Sequence, residues 1–183
     1  MNSEKKAILR LAKEAVESYA RGNGKIDIPE WLPKQLSQKK AAVFVSLKKE
    51  HLLRGCIGTL EPTCSSLAQE VIEMAVEASS HDPRFPKVQA EELENLTYSV
   101  DILSETEPVA SVEELDVKRY GVIVSSAWRR GVLLPCLEGV DSVQTQIEIA
   151  LKKAGIKPNE KYEMERFEVT RCSVEEDDLC EGS

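Results

Sequence analysis

Arg54, Gly55, Cys56, Ile57 and Gly58 form the densest run of chemically capable groups in this 183-residue chain. An arginine fork can hold an anionic group, and a thiol becomes a nucleophile once it ionises. Flanking glycines can let backbone N–H groups approach a ligand. The same run also suits a bulged edge strand with Cys56 buried as a small hydrophobe, because glycine inside a strand marks a bulge or a close backbone approach. On a regular extended strand Arg54 and Cys56 share a face, and a bulge would break that relation.

An activated cysteine needs a cation or a histidine beside it. The chain has two histidines, His51 and His81. His81 opens the proline-punctuated loop HDPRFP, in which Asp82 can orient an imidazole and Arg84 can bind a carboxylate or phosphate. Equally, Asp82 can cap the turn and Arg84 can pair with a surface acid. Arg129 and Arg130 read either as a small anion site or as a solvated hairpin tip. Cys56, Cys64, Cys136, Cys172 and Cys180 show neither a zinc-knuckle nor a redox CxxC spacing. The sequence therefore implies no metal, no cofactor and no disulfide framework.

The surrounding elements follow from periodicity. Ala7, Ile8, Leu11, Ala15, Val16 and Tyr19 mark an amphipathic helix from Ser3 to Arg21, stopped at Gly22. An irregular segment with Trp31 and Leu32 plugs onto the core. Ala41 to Leu47, then Leu52 onward, reads as a hairpin whose second strand carries the glycine-flanked run and ends at Pro62. Leu67, Val71, Met74, Ala75 and Ala78 line a helix that Thr63 or Ser65 can cap and that fails at Ser79 and Ser80. Leu96 to Leu103 alternates as a half-buried strand, and a second hairpin brackets Trp128 to Gly131. Asp141 or Ser142 starts a helix that closes at Gly155. The final strand, Tyr162 to Arg171, has its apolar residues in two phases that a bulge can reconcile. Hairpins mixed with three helices predict an α+β fold with mostly antiparallel sheet layers and helices packed on them.

The formal charge is −8, but the last nine residues hold five acids and no base, leaving a nearly balanced body. Residues 1–174 read as a single domain and residues 175–183 as an acidic disordered tail. No apolar run approaches the about 20 residues of a membrane span, and the charged N-terminus is not signal-like, so a cytoplasmic protein is expected. With no basic block and 5% aromatic residues, there is no strong nucleic-acid signal.

The segment LRGCIGTLEP, from Leu53 to Pro62, resembles the signature of the AMMECR domain family. EVIEMAVEASSHDPRFPKV from Glu70, YSVDILSETEPV from Tyr98, YGVIV from Tyr120 and LLPCLEGVDSVQTQIEIALKKAGI from Leu133 resemble that family in the same order. The resemblance implies an α+β fold of two intertwined subdomains with a cleft between them near the RGCIG segment. It places Arg54, Gly55, Cys56, Ile57 and Gly58, with Asp82, Pro83, Arg84 and Phe85, at that cleft. Cys136 and Cys172 depart from the family pattern, where an aspartate and an aromatic are usual. Similarity to component A of a three-part system implies Memo-family and radical SAM partner proteins.

Three readings follow. The leading one is a component that binds a substrate or partner at the RGCIG motif and acts with Memo-family and radical SAM proteins. The second is a stand-alone transferase or hydrolase with Cys56 as nucleophile, His81 or Asp82 assisting, and Arg54, Gly55, Ile57, Gly58 and Arg84 holding the ligand. The third is a non-catalytic adaptor for a peptide or RNA.

Overall fold

The computed structural model describes residues 1–174, so the acidic tail expected at 175–183 lies outside the described residues. Within them the chain forms two compact units, one made of residues 1–103 and 170–174, the other of residues 104–169.

In the first unit, helix α1 (Ser3–Ala20) begins where the Asn2 side chain accepts from the Lys5 amide, and buries Ile8, Leu11, Ala12, Ala15 and Val16. A short helix α2 (Lys34–Gln38) follows Leu32, which is buried as expected. Strands β1 (Val43–Lys49) and β2 (Leu52–Gly58) form the expected antiparallel hairpin, with β3 (Leu96–Leu103) antiparallel on the other side of β1. The hairpin turns through Glu50 and His51, both left-handed with φ 51° and 65°, the conformation that a two-residue primed turn requires. Val43, Val45 and Leu47 on β1 and Val100 on β3 are wholly buried on one face. Helices α1 and α3 (Leu67–Ser80) supply the other side of that core.

Two boundaries differ from expectation. Ser66 caps α3, its hydroxyl accepting from the Gln69 amide, because Thr63 is committed elsewhere, as described below. The helix also runs on through Ser79 and Ser80, whose hydroxyls donate back to the Val76 carbonyl. That local bonding lets two poor helix formers sit in the last turn.

In the second unit, β4 (Glu107–Val109) and β5 (Tyr120–Ser126) both pair antiparallel with β7 (Glu163–Ser173), and β6 (Arg129–Leu133) pairs with β5. Helix α4 (Val143–Ala154) is capped by Ser142 and closed by Gly155 at φ 68°, as its sequence signals require. It packs Ile147, Ala150 and Leu151 against Val122, Val124 and Leu133.

The bulge expected in the last strand is not found, since β7 keeps one register against β5 from Glu163 to Glu168. Its two apolar phases have another cause. Met164 packs on the α4-side core, while Phe167 is buried over Gly121, where a β-carbon would lie 2.2 Å from the ring. Each phase therefore has its own neighbour. Every pairing above is antiparallel, so the α+β expectation holds.

Candidate functional site

Strand β2 lies at the edge of the sheet, and its register explains the whole RGCIG run. Gly55 pairs with Leu47 and Ile57 with Val45, so both face the core, whereas Cys56 pairs with Ser46 and Gly58 with Phe44 on the opposite face. The register slips between Leu47 and Lys48, which leaves Arg54 as the extra residue of a β-bulge.

Both glycines have packing reasons. A β-carbon on Gly55 would meet the Ala78 carbonyl oxygen at 2.2 Å, so glycine lets the last turns of α3 lie directly on β2. A β-carbon on Gly58 would meet the Phe44 ring at 2.3 Å. The two positions thus hold an apolar neighbour and a helix backbone close to the strand, the close-approach alternative that glycine inside a strand offers.

Arg54 has a partner within the first unit. Its Nε and Nη2 each donate to Glu92 at 3.0 Å, a bidentate clamp between β2 and the 3₁₀ turn at Ala90–Asn95. Lys49 Nζ donates to the same carboxylate at 3.2 Å. The Arg54 fork pulls the Glu92 pKa down to about 2, with Lys49 and the Gln89 amide adding to it. Arg54 is therefore already paired with a carboxylate of this chain.

The HDPRFP loop reaches Cys56 through its backbone. The Cys56 N–H donates to Asp82 Oδ2 at 2.9 Å, and the Cys56 carbonyl accepts from Arg84 Nη2 at 3.2 Å. Asp82 in turn accepts from Arg84 Nε at 3.0 Å and Nη2 at 2.8 Å, and from the Arg84 amide at 3.0 Å. The carboxylate and guanidinium thus satisfy one donor and one acceptor of an edge strand, as a neighbouring strand would. Asp82 is buried, and its bonds from Arg84 and the Cys56 amide hold its carboxyl far below the ordinary carboxylate range. Asp82 and Arg84 form one ion pair, joining the two residues that the sequence places two apart.

His81 does not take part in that contact. It ends α3, with Nδ1 3.0 Å from Ser80 Oγ and 3.2 Å from Glu77 Oε1. The hydrogen bond to the Cys56 sulfur comes instead from the Ser46 hydroxyl, at 3.1 Å. Burial pushes the thiol pKa above its ordinary value, only partly offset by the Ser46 bond and the Arg84 charge. Burial at this position therefore favours the neutral thiol over the thiolate.

Across the non-core face, Cys56, Ser46 and Ser99 form one row and Gly58, Phe44 and Asp101 the next. Cys56, Ser46, Ser99 and Phe44 are half-buried. Asp101 is buried and receives Arg171 Nε at 2.7 Å and Nη2 at 3.0 Å. A thiol, two hydroxyls, an aromatic ring and a neutralised ion pair can together hold a ligand that is polar in part and apolar in part. Among the described residues no cluster of histidine, cysteine, aspartate and glutamate is placed to hold a metal.

Glu70 was not singled out by the sequence reading. Its Oε1 accepts from the Thr59 and Thr63 hydroxyls at 2.8 and 2.9 Å, and its Oε2 from the Thr63 and Cys64 amides at 2.9 and 2.7 Å. Those four bonds outweigh its burial and lower its pKa. They pin the loop that leaves the RGCIG strand. The signal was present, because Glu70 falls on the same helical stripe as Leu67, Val71 and Met74, where an acid must be satisfied internally. Ser46 and Glu92 had weaker signals, a hydroxyl opposite a cysteine and an acid three residues after Gln89.

The AMMECR1 family model matches residues 9–172. A Thermotoga maritima protein is 46% identical over 165 residues, spanning 89% of this chain and 95% of its own. A Clostridium acetobutylicum protein is 47% identical over 169 residues, 92% of this chain, which spans only 36% of that relative's length. The crystal structure of an uncharacterised protein from Pyrococcus horikoshii superposes with a TM-score of 0.86 at 29% identity, covering 93% of this chain and 91% of that one.

Proposed function

The chain belongs to the AMMECR1 family, and on that premise we propose that it is a cytoplasmic substrate- or partner-binding component that acts with Memo-family and radical SAM proteins. The ligand is held at the Cys56 face of the first unit, over the row Cys56, Ser46, Ser99. The observation that carries the reading is the state of Cys56. Its thiol accepts from a serine hydroxyl and is pushed toward the neutral form by burial. A neutral thiol is a weak nucleophile and a serviceable contact group.

That state weighs against a stand-alone Cys56-dependent transferase or hydrolase, which requires a depressed thiol pKa and a base in reach. Here the imidazole of His81 is engaged by Ser80 and Glu77. Asp82 is bound to two backbone amides and to Arg84, so its lone pairs are committed.

Isothermal titration of the full chain against purified Memo-family and radical SAM proteins from the same organism tests the proposal. Binding that survives Cys56→Ser within about threefold and falls at least tenfold in Ser99→Leu supports it, since an added isobutyl group fills the same row of the face while the Ser46 hydrogen bond to the thiol stays in place. Absence of binding to either protein, with turnover of a substrate by the isolated chain that Cys56→Ser abolishes, would overturn it in favour of the enzyme.

A further inference from the structure

Arg84 has more donors than the first unit uses. Its Nε and Nη2 donate to Asp82, and Nη2 donates also to the Cys56 carbonyl. The Phe85 ring lies 5.5 Å from the guanidinium carbon. Nη1, which carries two N–H groups, has no partner among the described residues, and the side chain is 55% exposed. The other contacts already fix the fork, so those two donors are offered to a ligand with little further loss of side-chain freedom.

A further open donor lies on the same strand edge. Ile57 pairs with Val45, and the Thr59 amide donates to the Val43 carbonyl. In an antiparallel ladder that alternation aims the N–H and C=O of Cys56 and Gly58 away from β1. At Cys56 the edge is closed by Asp82 and Arg84. At Gly58, two residues and about 7 Å further along, the N–H meets no acceptor among the described residues. The strand ends there, so the open edge is too short to seat an added strand and long enough to help hold one small group. The absence of a side chain on Gly58 also lets the Phe44 ring lie against its α-carbon, which sets an apolar surface beside the donor.

The local charge selects the group. Arg84 is balanced by Asp82, and Asp101, whose charge also reaches the Cys56 thiol, is balanced by Arg171. Glu61, three residues beyond Gly58, is exposed and already engaged. An edge near neutrality with three N–H groups suits a monoanion with two acceptor oxygens. A phosphate, with a charge near about −2 and three acceptor oxygens, would sit beside the Asp82 carboxylate without the additional cation it needs.

We infer that Arg84 Nη1 and the Gly58 N–H bind the carboxylate of a small molecule whose apolar part lies on Phe44 and reaches the row of Cys56, Ser46 and Ser99. The inference names the ligand class of the face proposed above and rests on that face being a binding site. It requires neither an ionised thiol nor a base.

The test is a heteronuclear NMR titration of the isotope-labelled full chain with phenylacetate, with phenylacetamide as the neutral probe and phenyl phosphate as the dianionic one. Phenylacetate is expected to move the Gly58 amide and the Arg84 Nε–H together and saturably, and to bind about tenfold more tightly than either other probe, as a charge-assisted contact requires. Arg84→Lys keeps a cation for Asp82 but lacks Nη1, so its affinity for phenylacetate should fall about tenfold. The three probes on the native chain decide the matter even if that variant does not fold. Equal binding of phenylacetamide, with the Ser46 and Ser99 amides moving, overturns the carboxylate and leaves the reading of the face intact. Tighter binding of phenyl phosphate overturns it in favour of a phosphate ligand. No shift at Gly58 and Arg84 with any probe also overturns it, and the titration against the partner proteins then judges the reading of the face separately.

Discussion

The Gly55 α-carbon faces the Ala78 carbonyl so closely that a β-carbon would stand 2.2 Å from that oxygen. This approach sets where α3 ends on β2, and with it where the HDPRFP loop starts. The loop then brings Asp82 and Arg84 to the backbone of Cys56. Of the two roles that the sequence allows this glycine, the close backbone approach is the one that aligns the site.

Gly55→Ala is accordingly expected to destabilise the protein by about 3 kcal/mol, the upper end of the usual range for overpacking a core that cannot shift. Gly139→Ala, with φ 78° but open space around it, should cost about 1 kcal/mol from backbone strain alone. Urea unfolding at equilibrium separates the two, and equal losses at both positions would contradict the close-approach account.

Asp82→Asn removes a charge from a buried carboxylate that two backbone amides and Arg84 address. The expected loss is about 1–3 kcal/mol, because the Cys56 amide and the guanidinium lose an ionised acceptor. Hydrogen exchange should quicken at the Cys56 amide in particular. An unchanged exchange rate there would show that the loop does not cap the strand edge.

Glu92 supplies a pH dependence. Its pKa lies near about 2 in the folded chain and at the ordinary 4.5 when unpaired, so folding favours the ionised form. Its contribution is complete above about pH 4.5 and is lost as the pH falls toward 2. In Arg54→Gln the folded pKa should return most of the way to its ordinary value. Stability of this variant should then fall less steeply than wild type across that window, as measured by urea midpoints at successive pH values. Parallel curves would mean that the bidentate clamp is not formed in solution.

Glu70→Gln keeps the shape but takes the charge from a carboxylate that two hydroxyls and two amides address, and its N–H₂ can be met only if the threonine hydroxyls turn to accept. The loop from Thr59 to Cys64 should loosen, with a loss of about 2 kcal/mol. Cys64, half-buried in the native chain, should then be alkylated several times faster. No change in Cys64 labelling would show that Glu70 does not hold that loop.

The elements were legible where periodicity and end signals agree. Helix α4 is the clearest case, since Ser142, the Ile147, Ala150, Leu151 stripe and Gly155 all mark it. The two hairpins and the alternation of Tyr98, Val100 and Ile102 on β3 against Ser99 and Asp101 were equally readable. What escaped the sequence were long-range pairs. Arg54 meets an acid 38 residues on, and Asp101 meets an arginine 70 residues on; neither partner has a local signature. For Gly55 and Gly58 the sequence offered a close backbone approach but not what approaches, because a glycine that admits a ligand and one that admits a helix look alike in one dimension. The two phases of β7 suggested a bulge when the cause was burial on both faces.

The central claim is that Cys56 is a neutral, hydrogen-bonded contact group, and the most direct test is its iodoacetamide rate against pH in the isolated chain, with Cys64 and Cys172 as internal references. The account predicts a rate that stays low through pH 8 and rises only above about 9, because burial raises the thiol pKa from its ordinary value. A rate that is half-maximal below about pH 7.5 would reveal an activated thiolate and contradict the account.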